Sequence, residues 1–356
     1  MEKTKDRTHK ILISDRTVGD GAPALIVAEL SGNHNGDYGR AVELIHAAKE
    51  AGADAVKLQT YTADTITIDC DREYFRLNRG TLWDGTTLYH LYEEAYTPWD
   101  WQPKLMEEAE KLGLLCFSSP FDPTAVDFMQ EMNMPAIKIA SFEITDLPLI
   151  RYAARCGKPI ILATGIAHAE DIRAAVDACR EEGNDQIVLL KCVSAYPTPY
   201  EDVNLKMMPG LGTAYDVSYG LSDHTEGSAV AVAAAALGAC MIEKHLTLRR
   251  ADGGPDAAFS MEPEEFARMV REVRIVEKAL GSAEYHLTEK QETERALARS
   301  LFIVRDIRKG EVLTAENIRS IRPGYGLSPA RYEDVIGRTA ARDLERGEPL
   351  REGDFA

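Results

Sequence analysis

The sequence predicts a (β/α)8 barrel followed by a small second domain. Eight apolar segments of strand type alternate with helical segments up to about residue 281, and short alternating segments follow. Alternation of strands and helices favours a parallel sheet, and right-handed crossovers allow eight such units to close into a barrel. The alternative is a doubly wound sheet. That fold normally shows fewer strands and a glycine-rich first turn, and the sequence contains no GxGxxG motif.

Each predicted strand is followed by a helix or by a gap that could hold one. In the first helix, apolar residues at helical spacing (Ala41, Leu44, Ile45, Ala48) end at Gly52. Segment 61–98 is far longer than a usual βα loop, so it is functional or contains short elements of its own. The predicted strands are 24–30, 53–60, 114–119, 136–141, 159–164, 187–193, 216–223 and 239–247. The predicted helices are 38–51, 99–112, 122–132, 147–156, 168–182, 227–238 and 262–280.

The end of the chain carries an internal repeat. Segment 306–313 (DIRKGEVL) matches segment 343–350 (DLERGEPL), with Gly310 and Gly347 at equivalent positions. The repeat predicts a small domain with pseudo-twofold symmetry, which buries little surface alone and is expected to pack on another surface. The predicted organisation is a barrel domain at 1–281, a polar linker at 282–297 and the repeat domain at 298–356.

Charge and composition exclude several kinds of partner. The formal net charge is −17, so no basic field favours nucleic acid or an anionic membrane. The six cysteines form no CxxC pair and several lie in apolar runs, as is typical of reduced core cysteines. The first residues show no apolar leader, and the longest bland run, 229–241, is too short to span a bilayer. We therefore expect a cytoplasmic protein with no nucleic-acid or membrane partner.

Two histidines mark the ends of successive predicted strands. His224 follows the seventh strand and His245 lies near the end of the eighth, so a parallel fold brings them side by side. Two neutral imidazoles can bind a divalent metal and leave positions for water and substrate. The alternative is that each histidine is hydrogen-bonded at its strand end, but the paired placement favours the metal site.

Lysines and hydroxyls converge on the same barrel mouth. A lysine within an apolar strand should face solvent or a ligand, and the mouth provides the ligand. Lysine binds phosphate as a point charge and serine donates to its oxygens, so an anionic substrate beside a metal is predicted. Glu29 is a candidate general base or orienting group, or alternatively the ion partner of a lysine. The predicted strand-end residues are Glu29, Lys57, Ser119, Lys138, Ser141, Ser194, Ser222, His224 and His245.

Short motifs along nearly the whole chain resemble the sialic acid synthase family, which condenses phosphoenolpyruvate with an amino sugar. The C-terminal part resembles the antifreeze-like (SAF) domain of that family, of β-clip type, and Arg322-Pro323-Gly324 matches its RPG motif. The matching barrel motifs are AELSGNHNG at 28–36, VKLQT at 56–60, SSPF at 118–121, IKIAS at 137–141, ATG at 163–165, YPTP at 196–199, GLSDHT at 220–225, EKH at 243–245 and GPD at 254–256.

The resemblance implies a role for each matching residue. His224 and His245 would bind a divalent metal, manganese or magnesium, and Glu29 would orient the sugar or the attacking water. Arg322 would reach the active site of the neighbouring subunit, because family members are domain-swapped homodimers. Ser194 stands where the family often has Asn. The positions that would hold phosphoenolpyruvate are Lys57, Ser119, Lys138, Ser141 and Ser222, and those on the sugar side are Tyr196 and Asp256.

Within the family, segments 82–89, 96–99, 139–143 and 256–260 resemble the branch that makes pseudaminic acid. The implied sugar is 2,4-diacetamido-2,4,6-trideoxy-altrose. We hypothesise that Phe142 suits the 6-methyl group of this sugar. The destination of the product, whether flagellin, capsule or lipopolysaccharide, is left open.

Three alternatives accompany this interpretation. The chain could be an N-acetylneuraminate or legionaminate synthase that uses N-acetylmannosamine or a related sugar. It could condense phosphoenolpyruvate with a phosphorylated pentose, although that family lacks the SAF domain and 298–356 argues against it. It could also be an inactive sugar-binding protein, against which the retained histidines, lysines and Glu29 argue.

Overall fold

A closed barrel of eight parallel strands forms the core of the N-terminal part of the chain. The computed structural model describes residues 9–19, 21–78, 80 and 82–356. Its strands are β1 (Ile11–Ile13), β2 (Arg16–Val18), β3 (Leu25–Glu29), β4 (Ala55–Thr60), β5 (Leu115–Pro120), β6 (Ile137–Ile139), β7 (Ile160–Ala163), β8 (Ile187–Lys191), β9 (Ser218–Asp223), β10 (Met241–His245), β11 (Ser300–Ile303) and β12 (Ile318–Ile321). Strands β3 to β10 close in sequence order, with β10 beside β3. The predicted barrel is confirmed, and each predicted strand range overlaps one barrel strand.

The α-helices of the described chain are α1 (Tyr38–Glu50), α2 (Ala63–Ile66), α3 (Leu88–Ala95), α4 (Gln102–Lys111), α5 (Pro123–Glu131), α6 (Leu147–Arg155), α7 (Ala169–Glu181), α8 (Met207–Tyr215), α9 (Ala229–Ala236), α10 (Pro263–Leu280), α11 (Glu289–Glu294) and α12 (Tyr332–Val335). The seven predicted helices are present at nearly the predicted bounds, as α1, α4, α5, α6, α7, α9 and α10. Local chemistry explains where some of them start: the Asp37 side chain accepts from Arg40 N, and Asp122 and Asp146 cap α5 and α6 in the same way. None of the helices in the described part of the chain is both long and apolar enough to cross a membrane.

Three local features differ from the sequence prediction or extend it. The antiparallel hairpin β1–β2 was not predicted, and its apolar residues pack with the barrel interior at the N-terminal ends of the strands. Helix α8 was not predicted because its sequence contains Pro209, Gly210 and Gly212. Gly212 is required by packing, since a Cβ there would lie 2.4 Å from the Tyr219 ring. Segment 61–98 contains α2, α3 and a 3-10 helix, Glu73–Phe75, so it has short elements of its own.

The alternation of side chains along each strand divides the core into two layers. On β3, Leu25 and Val27 pack inside the barrel, whereas Ile26 and Ala28 pack outward against the helices. The same alternation continues around the barrel because successive strand residues point to opposite faces. A residue two positions after an inward-facing apolar residue also faces the barrel interior. On β3, for example, Glu29 follows Val27 and faces inward at the C-terminal end of the strand.

The chain divides into two compact units, Met1–Gly281 and Ser282–Ala356. The polar segment 282–297 is grouped with the second unit and contains α11, so its role as a linker remains a prediction. The second unit has its own apolar cluster and an antiparallel β11–β12 pair. The first aspartate of each copy of the internal repeat accepts a hydrogen bond from the backbone of the other copy. Asp306 Oδ1 accepts from Arg346 N at 2.8 Å, and Asp343 Oδ1 accepts from Lys309 N at 2.7 Å.

Candidate active site

Two lysines, from β4 and from β6, meet at one buried carboxylate. Lys57 Nζ lies 3.8 Å from Glu243 Oε1, and Lys138 Nζ lies 3.7 Å from the same oxygen. All three side chains are at most 4% exposed. Ser222 Oγ donates to Glu243 Oε1 at 3.3 Å, and Lys57 Nζ donates to Ser119 Oγ at the same distance. The predicted convergence of lysines and hydroxyls on one mouth is therefore present in the structure.

Glu29 is the second carboxylate of this cluster and forms an ion pair with Lys57. The chain turns sharply after β3 at Ser31 (φ 41°), which brings both Ser31 N and Ser31 Oγ to Glu29 Oε1, at 3.1 and 2.5 Å. Gln59 Nε2 lies 3.3 Å from the same oxygen. The ion-partner interpretation of Glu29 is thus realised in the structure, and the carboxylate also lies among donors that could orient a substrate group.

The four charges of the cluster affect one another. Burial raises the pKa of Glu29, and Lys57 opposes that rise. Burial also raises the pKa of Glu243, but the two lysines outweigh it and the net direction is downward. Burial lowers the pKa of Lys138, and Glu243 only partly offsets this. Lys57 keeps a raised pKa because Glu243 and Glu29 together outweigh its burial. Two basic and two acidic side chains therefore share one buried space, and each shifts the pKa of its neighbours.

The two predicted metal-binding histidines lie side by side above this cluster. Their ring centroids are 5.3 Å apart, and both residues are buried. His224 Nδ1 is 3.0 Å from Val193 O, so a neutral ring protonated at Nδ1 leaves Nε2 as a ligand. His245 Nδ1 is buried and has no hydrogen-bond partner, which fits a metal ligand. Within the described ranges, no group of three or more His, Cys, Asp and Glu side chains could hold a metal.

The electrostatic environment differs between the two imidazoles. Burial, followed by His224 and three lysines, holds the pKa of His245 well below its usual value, so this ring is neutral at pH 7. Burial lowers the pKa of His224 as well, but Cys192 outweighs it and the net direction is upward. Cys192 Sγ lies 3.9 Å from His224 Nδ1. A cation at this site would therefore compete with a proton at His224.

Two serine hydroxyls flank Gly165. Ser141 Oγ accepts from Gly165 N at 3.1 Å, and Ser194 Oγ is buried without a hydrogen-bond partner. A Cβ at Gly165 would lie 2.2 Å from Ser194 Oγ and 2.6 Å from Ser141 Oγ, so only glycine fits between them. The resulting pocket wall consists of an unpaired hydroxyl and a closely approaching backbone, which suits an anionic group.

Aromatic side chains form the wall on the other side of the histidines. The ring of Tyr196 lies 4.4 Å from that of His224, 5.0 Å from that of Phe259 and 5.5 Å from that of Trp83. Trp83 Nε1 donates to Pro255 O at 2.8 Å, next to Asp256. Burial raises the pKa of Asp256 to about 6, although Gly32 N is near its carboxylate. Tyr196 thus lies beside His224. The sugar-side role that the resemblance implies for Tyr196 and Asp256 stays a prediction.

Two predicted site residues are placed differently from the rest. Phe142 lies in the 3-10 helix Ser141–Glu143 and is 59% exposed, so its ring is available to a ligand but belongs to no apolar pocket. Arg322 follows β12 in the second unit and is exposed. Its contribution to the barrel site stays a prediction.

The sequence analysis missed two carboxylates. It gave no role to Glu243, although Glu243 is two positions before His245 and therefore shares its face of β10. It also gave no role to Glu143, whose Oε2 is buried without a hydrogen-bond partner. Burial raises the pKa of Glu143 to about 7, opposed by its own backbone N–H and by Lys138. The strand period could have identified Glu243, but nothing in the local pattern distinguishes Glu143.

A separate cleft of about 1090 Å³ opens at the opposite end of the barrel. It is lined by residues that precede the strands, including Pro23, Asp54 and Val217. Arg16 and Arg274, which line it, are both paired with Asp54, at 2.8 and 2.6 Å. We locate the candidate site at the C-terminal ends of the strands, where (β/α)8 barrels build their sites.

The chain matches known proteins over nearly its whole length. The NeuB family model matches residues 44–285, and the SAF domain model matches residues 298–356. A pseudaminic acid synthase of Helicobacter pylori is 48% identical over 94% of this chain and 98% of its own length. An N,N'-diacetyllegionaminic acid synthase of Legionella pneumophila is 36% identical over 93% of this chain and 94% of its own.

Among solved structures, an N-acetylneuraminic acid (sialic acid) synthetase of Leptospira borgpetersenii has a TM-score of 0.71 and 31% identity, and the match covers 81% of this chain and 95% of the other. Both domains and the identities to these relatives agree with the resemblance found in the motifs. The chain belongs to the NeuB family and carries a SAF domain in its C-terminal part.

Proposed function

We propose that this protein is a transferase that condenses phosphoenolpyruvate with 2,4-diacetamido-2,4,6-trideoxy-altrose, releasing phosphate and forming pseudaminic acid. The observation that carries the chemistry is the convergence of Lys57 and Lys138 on Glu243, beside the paired rings of His224 and His245. The choice of sugar is supported by 48% identity to a pseudaminic acid synthase, against 36% to a legionaminic acid synthase.

In this proposal the lysines bind phosphoenolpyruvate. The substrate carries a phosphate and a carboxylate, and these anions compete with Glu29 and Glu243 for the two ammonium groups. Both lysines are buried, so ion pairs with the substrate are stronger than at a solvated surface. The proposed phosphoenolpyruvate positions also include the hydroxyls of Ser119, Ser141, Ser194 and Ser222.

His224 and His245 are the residues that would hold a divalent metal, manganese or magnesium. A bound cation supplies Lewis acidity toward the aldehyde oxygen of the open-chain sugar. Tyr196 lies beside His224, and Tyr196 and Asp256 are proposed to orient the sugar, with the exposed Phe142 ring available to its 6-methyl group.

The reaction forms a carbon–carbon bond and, from water to C2, a carbon–oxygen bond, and it breaks the carbon–oxygen bond to phosphate. Of the two protons of the water, one goes to the former aldehyde oxygen and the other to the released phosphate. C3 of phosphoenolpyruvate adds to the aldehyde carbon, and water adds to the resulting cationic C2. The tetrahedral adduct then loses phosphate by C–O cleavage. Glu29 is proposed to orient the attacking water, because it lies among Ser31, Gln59 and Lys57. Lys57 and Lys138 stabilise the departing phosphate.

The assembly proposed for this enzyme is a domain-swapped homodimer in which Arg322 reaches the barrel mouth of the neighbouring subunit. A cytoplasmic location is proposed because all six cysteines are free. The size of the assembly can be measured by sedimentation, and loss of activity in Arg322→Ala that is restored in mixed dimers with a barrel-site variant would test the exchange.

The decisive experiment is phosphate release from phosphoenolpyruvate with manganese present. The 6-deoxy diacetamido altrose is compared with N-acetylmannosamine and with the corresponding gluco-series sugar. We expect release only with the first. Preference for N-acetylmannosamine would mean that the substrate assignment is wrong while the barrel chemistry stands. Sugar binding without any phosphate release would instead indicate an inactive binding protein.

A further inference from the structure

A buried ion pair lies directly behind the two candidate metal-binding histidines. Lys244 Nζ is 2.8 Å from Asp223 Oδ2, and each side chain is only 1% exposed. Lys244 precedes His245, and Asp223 precedes His224. Strands β9 and β10 pair in a register that places Lys244 opposite Asp223. The ion pair therefore joins the two strands at the position next to both histidines.

The pair faces away from the candidate site. Glu243 contacts Ser222 and both lysines in the barrel interior, and alternation along β10 turns Lys244 to the opposite face. The pair thus cannot contact a substrate beside Glu243. Any effect it has on the candidate metal site must act through the backbone of the two strands.

The contacts of the pair hold both sides of His224. Lys244 Nζ also donates to Thr225 O at 2.5 Å, and Thr225 N donates to Asp223 Oδ1 at 2.9 Å. The residues before and after His224 are thereby bound to one ammonium group. That ammonium belongs to Lys244, the residue before His245. The Lys244 side chain therefore links the backbone around His224 to the backbone beside His245.

Stability alone gives a weak reason for such a pair. Replacing a buried ion pair by apolar residues of similar volume is often neutral or stabilising, because the desolvation of both charges offsets their attraction. The charges fix the orientation of the Lys244 side chain, because its ammonium group donates to both Asp223 and Thr225. Groups of this kind behind metal ligands set the orientation of the ligands.

We propose that Asp223 and Lys244 are positioning residues that set the separation and orientation of His224 and His245, and thereby the affinity for a divalent cation. This inference rests on the metal site of the proposed function. Neither residue touches the reacting atoms, so their effect should appear first in metal affinity and only through it in turnover.

The test is titration of the intact enzyme with Mn²⁺, following free Mn²⁺ by electron paramagnetic resonance. Lys244→Met should raise the dissociation constant about 10- to 100-fold, the usual effect of losing a group that orients a metal ligand. The matched control is Arg274→Met, which removes an ion pair with Asp54 at the opposite end of the barrel. The control should leave the Mn²⁺ affinity unchanged.

A second variant keeps the test sound if Lys244→Met fails to fold. Asp223→Asn combined with Lys244→Met removes both charges but retains an acceptor for Thr225 N, so it should fold and still bind Mn²⁺ more weakly. Wild-type affinity in that folded double variant would overturn the proposal. If instead the wild type binds no Mn²⁺, or His224→Ala binds it as tightly as the wild type, the metal site itself is wrong and both proposals fall.

Discussion

Replacement of Lys138 by methionine is the sharpest test of the substrate assignment. Lys138 is 2% exposed, and its Nζ lies 3.7 Å from Glu243 Oε1. A hydrogen bond to a charged group contributes about 1.5–3 kcal/mol. A factor of ten in affinity corresponds to about 1.36 kcal/mol. Loss of the hydrogen bond between Lys138 and phosphoenolpyruvate should therefore raise the KM for phosphoenolpyruvate about 10- to 150-fold. The variant leaves two carboxyl groups and one lysine in the cluster, so one basic group fewer is available to attract the anion.

The assay is initial phosphate release at varied phosphoenolpyruvate and saturating sugar, then the reverse. The KM for the sugar should change little, because Tyr196 and Asp256 are untouched. Breaking a buried pair by removing one partner costs about 3–5 kcal/mol of stability. In urea denaturation we expect the free energy of unfolding to fall by the low end of this range. The reason is that Glu243 Oε1 remains 3.8 Å from Lys57 Nζ and 3.3 Å from Ser222 Oγ.

A matched control is Lys191→Met. Lys191 is also buried, on the neighbouring part of the barrel, but its ammonium donates to Cys192 O at 2.8 Å and it has no role in the proposed site. The control should leave the KM for phosphoenolpyruvate unchanged. Equal increases in the two variants, or a change confined to the sugar, would refute the assignment of Lys138.

Three further predictions concern Glu143, His224 and Phe142. The pKa of Glu143 is raised to about 7 by burial, so its stabilising contribution is complete below the unfolded value near 4.5 and is lost as pH rises through 7. The fall in melting temperature between pH 5 and pH 8 should therefore be smaller in Glu143→Gln, and an unchanged fall would show that Glu143 is not buried as a neutral acid. His224→Ala should abolish metal-dependent turnover with unchanged circular dichroism, and full activity of this variant in metal-stripped buffer would contradict the ligand assignment. Phe142→Gly should reduce the preference for 6-deoxy over 6-hydroxy sugars about tenfold, the effect of one apolar contact, and an unchanged preference would remove Phe142 from sugar recognition.

Much of the barrel could be predicted because local periodicity and the fold share one physical cause. Strand residues alternate between the barrel interior and the helix layer, so the apolar runs of β3 and β10 are enough to identify both layers. Glu29 and His245 were predictable as residues of one mouth because each lies at the C-terminal end of a parallel strand. Helix α8 escaped prediction because Gly212 is required by close packing on Tyr219, which is a tertiary contact.

The sequence by itself determined the eight-stranded barrel, the C-terminal repeat, and the histidines, lysines and serines at the strand ends, because these depend on period and chain order. Only the tertiary structure decided which of these groups share a partner. Lys57 and Lys138 come from separate strands and converge on Glu243, while Lys244 and Asp223 face away and join β9 to β10. The physical reason is that strand register and barrel closure set distances between side chains far apart in sequence, and burial then sets the charge balance among them.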